Sequence, residues 1–236
     1  MKCLKHPPHP MLPYQPATVA EALHAILDQA AAQRGRATLA IPGGRSPGPA
    51  LTALARLCEP FLLARLHLLW LDERAVPLGH ADRNDAPTLA AWQAGGALPA
   101  FVHAMPAERD DLNAAAVAYA DTLRLATAGG SLDACLVGIG EDGHLASLFP
   151  CHAGLKELAD VFAVTDSPKP PPRRLTMGLS VLHRAECLLI LALGTAKGHV
   201  AQRARRGPDP MLPVSLLPQD RCLWYLDDAA ATAAVT

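Results

Sequence analysis

Long apolar runs and surplus charge are both scarce in this sequence, and each scarcity removes a class of function. The most apolar stretches, Phe61 to Leu71 and Cys187 to Leu193, are broken by Arg65 and His67 or are short against the ~18–20 residues that a membrane-crossing helix needs. Neither is expected to span a bilayer, and no membrane partner is expected. Lys plus Arg number 21 and Asp plus Glu 22, a net charge of −1. The chain thus lacks the positive excess that accompanies broad contact with a phosphate backbone, and no nucleic-acid partner is expected. Met1-Lys2-Cys3-Leu4-Lys5-His6-Pro7-Pro8 is basic, but no apolar core follows it, so a secretory leader is not expected and the expected compartment is cytoplasmic. The six cysteines, Cys3, Cys58, Cys135, Cys151, Cys187 and Cys222, form no C-x-x-C pair and mostly lie in apolar stretches. They are expected to be reduced and mostly buried, rather than a disulfide framework or a zinc site.

Apolar residues, by contrast, make up 50% of the 236 positions, enough for one substantial core. Proline is also abundant, at 22 residues, and it falls in short clusters that punctuate the chain. The first seventeen residues, rich in Pro and His, are expected as a flexible tail, with His6 and His9 at its surface, and residues 18–236 as a single domain. Val19, Ala22, Leu23, Ile26, Leu27 and Ala30 recur at helical spacing, with Thr18 as an expected N-cap and Gly35 past the end, which predicts an amphipathic helix over Thr18 to Arg34. Ala37 to Ile41 then reads as a strand, Pro42-Gly43-Gly44 as a turn, and Pro47 to Cys58 as a helix. The alternation recurs with strands at Leu66 to Leu71, Ala134 to Ile139 and Cys187 to Leu193, and a helix at Asp110 to Ala128. Continuous apolar strands interleaved with helices predict an α/β fold: a doubly covered, mostly parallel, Rossmann-like sheet. Ser167-Pro168-Lys169-Pro170-Pro171-Pro172-Arg173-Arg174 reads as an ordered surface loop within that domain, and no repeat is visible.

In open parallel sheets, ligands bind outside the carboxyl ends of the strands. The residues at those positions are Gly43, Gly44, Arg45 and Ser46; Asp72, Glu73 and Arg74; Gly140, Glu141, Asp142, Gly143 and His144; and Gly194, Thr195 and Lys197. Paired glycines before a helix let backbone N–H groups and the Ser46 hydroxyl approach an anion. Arg74 and Arg174 offer planar forks to phosphate oxygens, and Lys197 a point cation. In the Gly140 to His144 turn an imidazole and a carboxylate stand together. A histidine titrating near ~6.5 can accept a proton from water, and a carboxylate can orient it. A metal held by Asp142 and His144 is disfavoured, because further ligands would have to come from unrelated loops.

Five spaced blocks carry a resemblance. Gly43-Gly44-Arg45-Ser46-Pro47, Asp72-Glu73-Arg74 with Val76-Pro77 and Asn84, Gly138 to Pro150, Pro172-Arg173-Arg174-Leu175-Thr176, and Gly194-Thr195-Ala196-Lys197 occur in an order similar to that of 6-phosphogluconolactonases, from about Thr18 to Ala231. The resemblance implies hydrolysis of 6-phospho-D-glucono-1,5-lactone to 6-phosphogluconate in the oxidative pentose phosphate pathway, with no metal or organic cofactor. It implies a small phosphorylated sugar lactone as partner, and a monomer or small homo-oligomer. His144 would be the general base, either Asp142 or Asp72 would tune it, and Gly43, Gly44, Ser46, Arg74, Asn84, Arg174 and Lys197 would line the phosphate and sugar side. Glucosamine-6-phosphate deaminases resemble the family too, but there the Asp-Gly-His element runs on to Phe-Asn-Glu-Pro. Here Ala146-Ser147-Leu148-Phe149-Pro150 follows and offers no acid. Arg45 replaces the small hydroxyl residue usual in the family, and either adds a phosphate contact or points to solvent. The alternatives to a lactonase are a deaminase-like isomerase and a non-catalytic sugar-phosphate sensor.

Overall fold

The computed structural model describes residues 11–233. In chain order these form β1 (Met11–Pro13), α1 (Pro16–Arg34), β2 (Ala37–Ile41), α2 (Gly48–Leu57), α3 (Pro60–Leu63), β3 (Leu66–Trp70), β4 (Asp72–Arg74), α4 (Asp85–Gln93) and β5 (Phe101–His103). There follow α5 (Leu112–Ala126), β6 (Ala134–Gly138), β7 (Val161–Val164), β8 (Arg174–Met177), α6 (Leu179–Arg184), β9 (Leu188–Ala192), α7 (Thr195–Ala204), β10 (Cys222–Leu226) and α8 (Asp228–Ala233). Seven strands make one parallel sheet in the order β1-β10-β9-β6-β2-β3-β5, and β4, β8 and β7 make a small antiparallel one. Every residue of β2 and β9 is buried, as expected of strands covered on both faces. The mostly parallel α/β sheet expected from the apolar runs is therefore present.

The chain leaves β2 for β3 on one side and returns through β6 on the other. That reversal opens a crevice above the carboxyl ends of β2 and β6, where an α/β sheet places its ligand. The small sheet reaches the same edge: β4 leaves the end of β3 and pairs with β8, Asp72 opposite Thr176, which draws the proline-rich loop before β8 over the crevice. Below, Tyr119 ties α5 to the sheet, its hydroxyl accepting from Trp70 N at 2.8 Å and donating to His103 O at 2.9 Å.

Two expectations change. Of the segment expected as a tail, residues 1–10 lie outside the described residues, together with His6, His9 and Cys3. From Met11 onward it belongs to the fold, since β1 pairs with β10 and Tyr14 N donates to Leu226 O at 2.7 Å. Helix α1 starts at Pro16, not Thr18, because a proline fits the first turn, where its missing N–H costs nothing. Gln15 is the cap, and the Thr18 hydroxyl donates to Gln15 O at 2.9 Å. Gly35, at φ 71°, closes the helix as expected. Cys58, Cys135 and Cys222 are buried, Cys187 is partly so, and Cys151 is exposed; all five are free thiols.

Candidate active site

The turn after β6 is built around absent side chains. Gly140 N donates to His144 O at 2.8 Å and Gly143 N to Gly140 O at 3.0 Å. The imidazole lies so close over Gly140 that a Cβ there would stand 2.0 Å from His144 Nδ1 and 2.4 Å from Asp142 Oδ1. Asp142 Oδ1 lies 2.5 Å from His144 Nδ1 and accepts the His144 backbone N–H at 3.2 Å. A carboxylate can only accept, so Nδ1 carries the hydrogen and Nε2 keeps its lone pair. Phe149 backs the ring at 4.9 Å. Burial lowers the His144 pKa below its ordinary value, Asp142 opposes that, and nearby Lys169 adds to it. For Asp142, burial works upward, but hydrogen bonds from His144 and Lys169 outweigh it and hold the carboxyl well below the usual range.

Of the two carboxylates expected to tune the imidazole, Asp142 is the one in contact. Asp72 is buried and occupied elsewhere, accepting from Ser147 Oγ at 2.7 Å and from Asn84 Nδ2 at 3.3 Å, so it reaches His144 only through its charge. Asn84 also donates to Asp72 O at 2.9 Å and presses on Gly43, where a Cβ would stand 1.7 Å from Asn84 Oδ1. Glu73 fastens this arrangement, accepting from Arg74 N and Asn84 N at 2.7 Å each and from Asp85 N at 3.0 Å. Gly44 takes φ 87° and leaves open space where a side chain would stand. Arg45 beside it is exposed.

Arg174 is placed otherwise than as a phosphate fork. Its buried guanidinium donates from Nε to Pro171 O at 3.0 Å and from Nη2 to Lys169 O at 2.9 Å and Pro170 O at 3.1 Å. Nη1 lies 3.5 Å from Ser147 Oγ and 3.8 Å from Asp72 Oδ2. A guanidinium removed from water needs partners for its five N–H groups; the loop carbonyls accept three of them, and Nη1 faces Ser147 and Asp72. The loop thus clamped carries Lys169, whose Nζ stands 2.9 Å from Asp142 Oδ2 and 3.1 Å from His144 Nδ1. The sequence had not marked Lys169 as a site residue.

These side chains wall a cavity of about 380 Å³, lined by His144, Asp72, Gly43, Gly44, Arg45, Ser46, Arg74, Asn84, Arg174 and Lys197, with Asp142 behind the imidazole. Lys169, Glu141 and Ala146 line it as well. Lys197 enters from the first turn of α7; burial lowers its pKa, with Glu141 and Asp227 opposing. Arg45, Arg74, Lys169 and Lys197 converge on one space beside glycine-rich backbone, an arrangement suited to a small anion. Among the described residues, no group of three or more His, Cys, Asp or Glu side chains is placed to hold a metal ion. None of the described helices is long and apolar enough to cross a membrane.

Residues 16–224 match the family described as glucosamine-6-phosphate isomerases/6-phosphogluconolactonase. A 6-phosphogluconolactonase of Streptomyces coelicolor is 37% identical over 232 residues, which cover 92% of this chain and 88% of the relative. One of Mycobacterium tuberculosis is 35% identical, covering 91% of this chain and 92% of its own. Among solved structures, 6-phosphogluconolactonase from Thermotoga maritima superposes with a TM-score of 0.81 at 23% identity, over 93% of this chain and 100% of that one. A monomeric glucosamine-6-phosphate deaminase superposes with a TM-score of 0.76 at 19% identity, over 94% and 98%. At those identities the structural likeness bears on the fold.

Proposed function

The chain belongs to the family of glucosamine-6-phosphate isomerases and 6-phosphogluconolactonases, and within it we propose the following reaction and residue roles. The protein is a hydrolase of the lactonase branch, opening 6-phosphogluconolactone to 6-phosphogluconate in the pentose phosphate pathway, with His144 as the general base. The carrying observation is the Asp142–His144 pair, 2.5 Å apart, set at the wall of a cation-lined cavity above the strand-order reversal.

Water attacks the lactone carbonyl carbon as His144 Nε2 removes its proton. A tetrahedral oxyanion forms, and its collapse breaks the bond from the carbonyl carbon to the ring oxygen. The leaving ring oxygen takes the proton back from the imidazolium, so one water is added and the base is regenerated. Asp142 fixes the tautomer and offsets the transient positive charge on the ring. Lys197, Arg74 and Arg45, with Ser46 and the Gly43-Gly44 backbone, receive the phosphate and sugar oxygens. Arg174 acts at one remove, by holding the loop that closes the site.

The lactone reading is favoured over deamination by Phe149, which directly precedes Pro150 where the deaminase element has its Glu, packs 4.9 Å from the His144 ring and offers no carboxylate for ring opening. The purified protein is therefore expected to hydrolyse freshly generated 6-phosphogluconolactone above its spontaneous rate and to release no ammonia from glucosamine 6-phosphate. Ammonia release without lactone turnover would overturn the reading in favour of a deaminase. Binding of 6-phosphogluconate with no turnover at all would make the protein a sensor.

A further inference from the structure

The loop Ser167 to Pro172 is fixed at both ends and along its length. Ser167 N donates to Pro172 O at 3.0 Å, and Lys169 O accepts from Ser167 Oγ at 2.8 Å as well as from Arg174 Nη2 at 2.9 Å. The lysine backbone therefore has a set position, and its side chain extends to the two groups that carry the chemistry. Asp142 divides its oxygens between them, Oδ1 toward His144 Nδ1 at 2.5 Å and Oδ2 toward Lys169 Nζ at 2.9 Å, while Nζ itself stands 3.1 Å from Nδ1.

We propose that Lys169 is a positioning residue that keeps His144 in its neutral, proton-accepting form, by sharing Asp142 with it and by placing a positive charge against the Nδ1 edge of the ring. This rests on the reading of His144 as general base. A carboxylate facing a histidine alone favours the imidazolium and moves its titration upward by about 1–3 pH units. A base so shifted would be occupied by a proton at neutral pH. An ammonium on the second carboxylate oxygen neutralises much of that effect and leaves the orienting hydrogen bond intact. Because Nδ1 already donates to Asp142, the ammonium 3.1 Å away is not its hydrogen-bond partner; it is a like charge as soon as the ring is protonated.

The other charged groups around the imidazole do not duplicate this role. Glu141 on the same turn faces Lys197 of α7, and Asp72 of β4 is bound by Ser147 and faces Arg174 of β8. Arg74 of β4 donates to Asp82 O at 3.1 Å. Among the described residues, only Lys169 bonds to Asp142 from outside the turn. The burial of His144 lowers its pKa in the same direction, so Lys169 completes a balance that burial begins.

The test compares wild type, Lys169→Met and Lys169→Arg in two measurements. One is the pH dependence of kcat/KM for 6-phosphogluconolactone, corrected for spontaneous hydrolysis. The other is the titration of the His144 imidazole by NMR without substrate. The Lys169 side chain is 44% exposed, so the folded protein tolerates its loss. In Lys169→Met, the imidazole titration and the acid limb of kcat/KM are both expected to move upward by about one pH unit, and Lys169→Arg is expected to restore them. An imidazole that titrates at the same pH in Lys169→Met and wild type overturns the proposal, whatever happens to the rate. A uniform fall in kcat/KM with the limb unmoved assigns Lys169 to substrate binding and overturns it too. Full activity in His144→Gln would instead remove the general base itself, a failure separate from either of these.

Discussion

Gly140 leaves open the space that His144 and Asp142 occupy, and the site depends on that missing atom as directly as on any side chain present. A Cβ at Gly140 would stand 2.0 Å from Nδ1, well inside van der Waals contact, so the ring must shift. Displacement of a catalytic group by about 1 Å costs on the order of 10²-fold in rate. Gly140→Ala is accordingly expected to lower kcat by about that factor while the circular dichroism spectrum and melting temperature stay near wild type; unchanged kcat would show that the turn has slack. Gly43 is constrained in the same way by Asn84 Oδ1, 1.7 Å from its Cβ position. These requirements were half visible in the sequence. Glycine at such turns was legible, and so were Asp142 and His144. The partner that Gly43 makes room for was not, because Asn84 lies 41 residues from it along the chain. Lys169 was hidden for the same reason: a lysine among prolines reads as a surface charge until Arg174 is seen to fold its loop inward.

Among the elements, the buried central strands were legible and the small sheet was not. β2, β3, β6 and β9 are near-continuous apolar runs whose pattern follows from burial on both faces. β4 is Asp72-Glu73-Arg74, three charged residues that no strand pattern would select, and it exists because Glu73 is bound by three backbone N–H groups and β8 pairs alongside. Glu73→Gln would place an amide N–H against one of those donors. Leaving a buried donor unmatched costs about 1–3 kcal/mol, and Glu73→Gln is expected to lose that much stability in urea and to raise KM as Asn84 loosens; an unaltered denaturation midpoint would contradict this. At the opposite edge, β3 and β5 set His67 Nδ1 3.0 Å from His103 Nε2, with the Phe101 ring stacked on His67. Burial lowers the pKa of both histidines from the ordinary 6.5, and His103 and Arg36 add to the lowering at His67. Their folded pKa values lie below the unfolded one, so the unfolded chain binds protons more readily. Stability is then complete above about pH 6.5 and declines as pH falls through the lowered values. The melting temperature is expected to drop between pH 7 and pH 5, and His103→Leu to flatten part of that drop; an equal slope in the variant would exclude the pair as its source.

For the whole molecule, the seven-stranded order brings distant parts of the chain to one edge, and this is how a protein of net charge −1 would receive the phosphorylated anion proposed as its substrate. Arg45 comes from the turn after β2, Arg74 from β4, Lys169 from the loop before β8 and Lys197 from helix α7, so total charge says nothing about the field they make together. Saturating 6-phosphogluconate, at about a hundred times its Kd, should stabilise the fold by about 2.7 kcal/mol and raise the melting temperature by roughly 5–10 °C. Lys197→Ala is expected to abolish most of that rise; a full shift in the variant would place the phosphate elsewhere. The most direct measurement is alkali uptake at constant pH during hydrolysis of freshly generated 6-phosphogluconolactone by wild type and His144→Ala, with the spontaneous rate subtracted. Loss of a positioned general base lowers kcat by roughly 10²–10⁴-fold, and that is the result expected for the variant with its fold intact. Equal rates for the two proteins would contradict the assignment of His144 as the base.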